Sequence, residues 1–166
     1  MPRRRITIKK KWQADPIYNS IAATRFVNNI MKDGKKIKAQ KIFYSSINYI
    51  QEKTGSDGFK VFQQALKNVM PVVEVWPRKI AGASYLVPRV VNPDRRFYKA
   101  VKWIVESARN KKGKPMYVRL GEEIIAAYNN EGDAIKRKIE IQKQAENNKA
   151  FAHFAWWGRK SKKKIN

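Results

Sequence analysis

The chain contains no cysteine and a single histidine, His153. Disulfides and thiolate metal sites are thereby excluded, and one imidazole cannot assemble a multi-histidine centre, so no metal and no cofactor is expected. Acidic residues are scarce: 13 Asp and Glu stand against 37 Lys and Arg, a formal charge of +24 on 166 residues. No stretch approaches the roughly 20 apolar residues that span a bilayer. The basic start, Met1 to Lys11, has no apolar signal core behind it. A soluble, non-secreted chain with no membrane partner is expected. Internal repeats are absent, and low complexity is confined to the Lys-rich ends.

What is present is a folding sequence carrying excess positive charge. A hydrophobic fraction of 43%, with Trp, Tyr and Phe throughout, supplies the apolar surface that disordered basic tails lack. A chain of this length suits one domain, and such domains bury roughly 68–70% of the surface that their unfolded chains expose. Self-repulsion at a pI near 10.4 works against the compact state. A phosphate-rich partner relieves it through counterion release.

Residues Met1 to Asp15 carry Arg3, Arg4, Arg5, Lys9, Lys10 and Lys11 without a sustained period and read as an extended basic arm. From Ser20, Ala23, Phe26, Val27, Ile30 and Met31 recur at helical spacing until Asp33-Gly34. A second helix begins near Lys36 with Ala39, Ile42, Phe43, Ile47 and Ile50 on one face. Asp57 caps a third, burying Phe59, Phe62, Leu66 and Val69 up to Pro71.

The period then becomes strand-like. Val72 to Val75 and Tyr85 to Val91 are β-branched runs flanking Arg78 to Ala83 and form a β-ribbon arm. Pro77 and Pro88 suit exposed edges, and two strands alone need support from helices or a partner. Asn92-Pro93 starts a fourth helix with Phe97, Val101, Ile104 and Ala108 inward. A fifth follows Gly113 with Met116, Leu120, Ile124 and Ala127, and Asp133 caps a sixth. The expected fold is mainly α: a six-helix domain with an extended two-stranded β-ribbon arm.

Few residues suggest catalysis. Gly34-Lys35-Lys36 lacks the upstream Gly and the following Ser or Thr of a nucleotide-binding loop. It could instead hold an RNA phosphate at a helix N-terminus, or be an ordinary solvated loop. His153, within Ala150 to Trp157, is best explained by packing or a local hydrogen bond. Glu122-Glu123 is expected to be exposed on at least one side, and adjacent helical residues do not face each other. Tyr85 is either a cross-strand packing residue or a stacking surface for a nucleotide. Phe151 and Phe154 suit packing, whereas Trp156 and Trp157, near the basic end, suit partner contact.

Charge runs are usually solvated faces. Here they recur at element ends and on the arm: Arg3 to Arg5, Lys35-Lys36, Arg78-Lys79, Arg95-Arg96, Lys111-Lys112-Lys114 and Lys136 to Lys138. Long side chains on loops can reach phosphates without disturbing a core.

Several spaced motifs, in order over nearly the whole chain, carry a family likeness. They are Asp15-Pro16, Ala23-x-x-Phe26-Val27-Asn28 and Asp33-Gly34-Lys35-Lys36, then Val69-x-Pro71-x-Val73-Glu74-Val75 and Gly82-x-Ser84-Tyr85-x-Val87-Pro88. Arg95-Arg96-x-x-x-Ala100-x-x-Trp103-Ile104-Val105-Glu106-x-Ala108-Arg109 and Ala145-Glu146-x-Asn148-Lys149-Ala150-Phe151-Ala152-His153-Phe154 complete it. The chain resembles the bacterial-type small-subunit ribosomal protein seven family.

That resemblance implies a helical protein with a β-ribbon and no catalytic role. It implies binding to the 3′ major domain of the small-subunit rRNA, nucleation of head assembly, and a place lining the tRNA exit site. Residues 1–15 are then a basic arm, 16–155 one rRNA-binding helical domain with its ribbon at about 72–91, and 156–166 a basic extension. By motif, Arg3, Arg4, Arg5, Lys35, Lys36, Arg78, Lys79, Arg89, Arg95 and Arg96 are implied to contact rRNA. The charge clusters add Lys9, Lys10, Lys11, Lys112 and Lys114. Gly82, Ser84 and Tyr85 at the ribbon end, with Lys136, Arg137, Lys138, Trp156 and Trp157, are assigned to exit-site tRNA or neighbouring small-subunit proteins. The location implied is the small ribosomal subunit, in a bacterial cytoplasm or an organelle.

Three features depart from the family pattern. Ile80-Ala81-Gly82 replaces the paired Gly common at the ribbon tip, Trp76 is bulky for the arm, and Trp156 to Asn166 does not align. The rival from another class is a DNA-architectural protein whose ribbon enters a minor groove, with Pro77 or Ile80 as wedges. An RNA-modifying enzyme needs a cofactor loop or catalytic group, and neither is visible.

Overall fold

Three phenylalanines organise the interior: Phe26 on α1 (Ile21–Ile30), Phe43 on α2 (Lys36–Thr54) and Phe62 on α3 (Gly58–Val69). Their ring centroids lie 4.9 Å (Phe26 to Phe62), 5.3 Å (Phe43 to Phe62) and 5.6 Å (Phe26 to Phe43) apart in the computed structural model, which describes residues 12–155. All three are fully buried, and each stabilises the fold by about 1.5–3 kcal/mol through burial alone. Edge-on ring geometry adds to this. The helical spacing of apolar residues thus becomes one continuous core.

Helix α4 (Pro93–Asn110) supplies Ala100, Val101, Ile104 and Ala108 to that core, and α5 (Met116–Tyr128) supplies Leu120, Ile124 and Ala127. Helix α5 packs against α2, α3 and α4 and is the centre of the bundle. Helix α6 (Asp133–Asn147) adds Ala134 and Ile135 from its first turn and then runs along the ribbon. A 3₁₀ segment, Lys149–Ala155, follows it and packs on the second ribbon strand.

The ribbon is a two-stranded antiparallel sheet of β1 (Val73–Ile80) and β2 (Ala83–Val90). The expected strand runs are too short, because pairing extends inward through Trp76-Pro77-Arg78-Lys79 to a two-residue turn, Ala81-Gly82. Both turn residues have positive φ, 47° and 85°, the hairpin geometry whose twist matches that of the strands. Antiparallel register puts Glu74, Trp76, Arg78 and Ile80 of β1 on one face with Arg89, Val87, Tyr85 and Ala83 of β2.

Local signals at the helix starts are mixed. Asp57 caps α3, its side chain accepting from Phe59 N–H at 2.9 Å, and Pro93 opens α4, but Asn92 makes no side-chain cap bond. The expectation that Asp133 caps α6 is corrected: Gly132 precedes the helix and Asp133 is its first residue. The cap comes from elsewhere, from Glu123 on α5, whose Oε1 accepts from Ala134 N–H at 3.1 Å. The Glu122-Glu123 pair is open on one side only, through the partly exposed Glu122. Glu123 is fully buried, and a Cβ at position 132 would crowd its carboxylate, so glycine is required there.

Candidate nucleic-acid interface

The cations divide into those that hold the fold together and those that face outward. Arg96 donates to the Pro71 carbonyl at 3.0 Å, Arg137 pairs with Glu106 at 2.8 Å, and Lys138 donates to the Asn68 carbonyl at 2.5 Å. Burial, with the Arg96 charge nearby, pushes the Lys138 ammonium down from its ordinary value. Lys138 completes the carbonyl end of α3, where a positive charge is favoured. Lys111 pairs with Glu123 at 2.6 Å and Lys114 with Glu122 at 2.5 Å. The Lys114 ammonium is raised by that hydrogen bond and by the Glu122 charge.

At the ribbon base, Glu74 is 3% exposed and receives both Lys99 at 2.6 Å and Arg95 at 3.0 Å. Burial pushes this carboxyl up. Hydrogen bonds from Lys99, Arg95 and Trp76, with the Lys99 charge, outweigh burial and hold it below the usual glutamate value. This cluster ties β1 to the start of α4. Farther out, the Arg78 guanidinium donates to the Phe154 carbonyl, and Tyr85 packs on Phe151 and Phe154, with centroids 5.0 and 5.8 Å away. Tyr85 therefore sits in an aromatic cluster with the 3₁₀ segment. His153 is exposed, with Nδ1 2.8 Å from the Ala150 carbonyl.

The outward set is concentrated at the start of α2, where three exposed lysines stand beside two arginines that also hold backbone carbonyls. Lys32, Lys35 and Lys38, with Arg109 and Arg119, line a cleft of about 350 Å³ floored by Ile30, Met31, Ala39, Ile42 and Met116, and no carboxylate lines it. The two arginines are fixed by the backbone: Arg109 donates to the Asn29 and Ile30 carbonyls at 3.3 and 3.1 Å, and Arg119 to those of Arg109 and Lys111. Helix α2 has no side-chain cap, so its positive dipole end adds to the lysines. Lys36 diverges from Lys35 and lines a separate hollow with Gln13, Asp15 and Gln40.

Among the sequence candidates, Lys79, Gly82, Ser84, Lys112 and Lys136 are exposed, Lys136 lying 3.7 Å from Asp133. Arg89 has no carboxylate partner among the described residues and lies over Trp76, as does Arg95 at 4.8 Å. Arg3, Arg4, Arg5, Lys9, Lys10, Lys11, Trp156 and Trp157 lie outside the described residues. Composition and motif reasoning missed Lys32, Lys38, Arg109 and Arg119 as members of one cleft. The available signal was the spacing of Lys35 and Lys38, which places both on one helix face.

Residues 2–149 match the family model described as ribosomal protein S7p/S5e. The chain is 53% identical over 156 residues to the small ribosomal subunit protein uS7 of Pseudothermotoga lettingae, covering 94% of this chain and all of that protein. It is 52% identical to uS7 of Fervidobacterium nodosum over 154 residues, 93% of this chain and 99% of that one. Against uS7 of Thermotoga maritima the identity is 50% with the same coverage. A mainly helical body with one β-ribbon, cations presented from loops, and these matches across nearly the full length agree: the chain belongs to the ribosomal protein S7p/S5e family, a structural and non-enzymatic component of the small ribosomal subunit.

Proposed function

We propose that the protein binds the 3′ major domain of small-subunit rRNA, nucleates folding of the subunit head, and reaches exit-site tRNA and neighbouring proteins through its ribbon end and last helix. The observation that carries the RNA reading is the cleft at the start of α2, five cations without a carboxylate beside an uncapped helix N-terminus. Backbone amides and lysines at such an end favour phosphate. The ribbon-base arginines and the exposed Lys79 and Lys112 offer separate contacts. A rigid body with spaced cationic points fixes the relative orientation of RNA helices. Shape is then read more than sequence, because A-form grooves hide most base edges from side chains. In sequence, the arm at 1–15 and the extension at 156–166 carry further positive charge.

The test is competitive binding to a head-domain rRNA fragment against duplex DNA and unrelated structured RNA at about 200 mM salt, where generic phosphate binding is weak. Preference for the rRNA fragment is expected; equal binding, or preference for DNA, overturns the reading. Lys35→Ala with Lys38→Ala should weaken rRNA binding and lower the salt slope by about 1 per lost phosphate contact. Their exposure keeps the stability change within about 0.5 kcal/mol.

A further inference from the structure

Trp76 is 41% exposed on β1 although the residue directly opposite, Val87, is 3% exposed. The two side chains stand on the same ribbon face, and Trp76 keeps much of its surface in solvent. Around it, Pro77, Arg78, Val87, Arg89 and Ala155 complete a hollow of about 240 Å³. That is smaller than the roughly 300–1,000 Å³ of a typical small-molecule pocket. Two guanidiniums lie over the ring. Arg95 lies 4.8 Å from its centroid and is held by Glu74; Arg89 lies 5.9 Å away. Arg89 faces Glu74 across the ribbon, but that carboxylate is engaged by Lys99 and Arg95.

We infer that Trp76 is a stacking platform for one unpaired RNA nucleotide, its base lying on the indole beside Pro77 and its phosphate taken by Arg89. The inference rests on the rRNA-binding reading above and assigns a chemistry to one part of that surface. An aromatic face bordered by cations matches a base and its phosphate, and every base offers a π-face. A paired base has no free face, so the site selects a bulge or loop. Among the described residues no carboxylate lines the hollow, which disfavours a basic peptide. An acidic peptide would use the guanidiniums without needing the ring.

The experiment compares two head-domain rRNA fragments, one with its loops and bulges intact and one with them closed by pairing. Wild type, Trp76→Ala, Trp76→Phe and Arg89→Ala are each titrated at several salt concentrations. Trp76→Ala should weaken the looped fragment roughly 5- to 150-fold, the range for losing one stacked base, with the salt slope unchanged. Binding of the closed fragment should not change, and Trp76→Phe should restore most of the loss. Arg89→Ala should lower the salt slope by about 1. Ultraviolet cross-linking of wild-type protein to the looped fragment should attach a nucleotide to Trp76, which keeps the test decisive if Trp76→Ala fails to fold.

Equal losses on both fragments, an altered slope in Trp76→Ala, absence of the cross-link, or unchanged affinity overturns the inference. Failure of the underlying reading looks different, because wild type then shows no preference for head-domain rRNA over duplex DNA.

Discussion

The buried Glu123 carboxylate on α5 caps a helix to which it does not belong, accepting from Ala134 N–H at the start of α6 at 3.1 Å. Its other oxygen lies 2.6 Å from Lys111 Nζ, off the line of a good hydrogen bond, so that contact acts mainly through charge. One side chain thereby joins α5, α6 and the loop after α4. Glu123→Ala should cost about 2–3 kcal/mol, since it leaves a buried amide unpaired and strands an ammonium. Glu123→Gln, which keeps the acceptor, should cost less. Urea midpoints measure the difference, and amide exchange at Ala134 that is faster in Glu123→Ala than in Glu123→Gln would localise it; equal midpoints would remove the cap from the account.

Acid should loosen the ribbon from the body. The Glu74 carboxyl is held below its usual value in the fold, so its contribution is fully present above the unfolded value of about 4.3 and is lost as pH falls through the lower, folded one. Wild type should lose more stability than Glu74→Gln on acidification from neutral pH to below about 4. Denaturation midpoints at the two pH values test this, and parallel pH profiles would contradict it.

Alkali acts on a different contact. The Tyr44 hydroxyl donates to Asp15 at 2.8 Å, and burial, followed by that hydrogen bond and the Asp15 charge, pushes its pKa up to about 12. A raised acid stabilises below its unfolded value of about 10, and that stability fades as pH rises toward 12. Spectrophotometric titration should show one fewer late-ionising tyrosine in Tyr44→Phe. The variant should also lose about 1 kcal/mol at neutral pH, the usual worth of such a bond.

The ribbon tip carries a cost that a single substitution can relieve. Ala81 has φ of 47°, a left-handed conformation that costs a Cβ-bearing residue roughly 1–2 kcal/mol. Ala81→Asn creates the Asn-Gly pair favoured in such turns. Amide exchange in β1 and β2 should slow severalfold, and unchanged exchange would mean that the turn does not limit opening of the ribbon.

Helix positions were readable from sequence because Phe26, Phe43, Phe62, Val101 and Ile124 recur at the helical period and all reach the core. The inner part of the ribbon was not, because Trp76-Pro77-Arg78-Lys79 lacks the β-branched signal and is held by cross-strand pairing. Glu123 could have been placed: it stands three residues after Leu120, on the buried face. Its partners could not, since they come from other elements. Charge was the least decipherable property. Lys138 and Arg96 look like surface cations in sequence, yet they satisfy the Asn68 and Pro71 carbonyls, and only tertiary structure separates them from Lys35 or Arg89.

The latch between Arg78 and Phe154 joins residues 76 positions apart, which has a consequence for the order of events during synthesis. A hairpin pairs within about 1–10 μs once both strands are available. At about 5–20 residues per second, translation needs roughly 3–13 s more to deliver the segment on which one ribbon face rests. The nascent arm therefore exists for seconds with Tyr85 and its edges uncovered, and a chain truncated before Phe151 would keep it in that state.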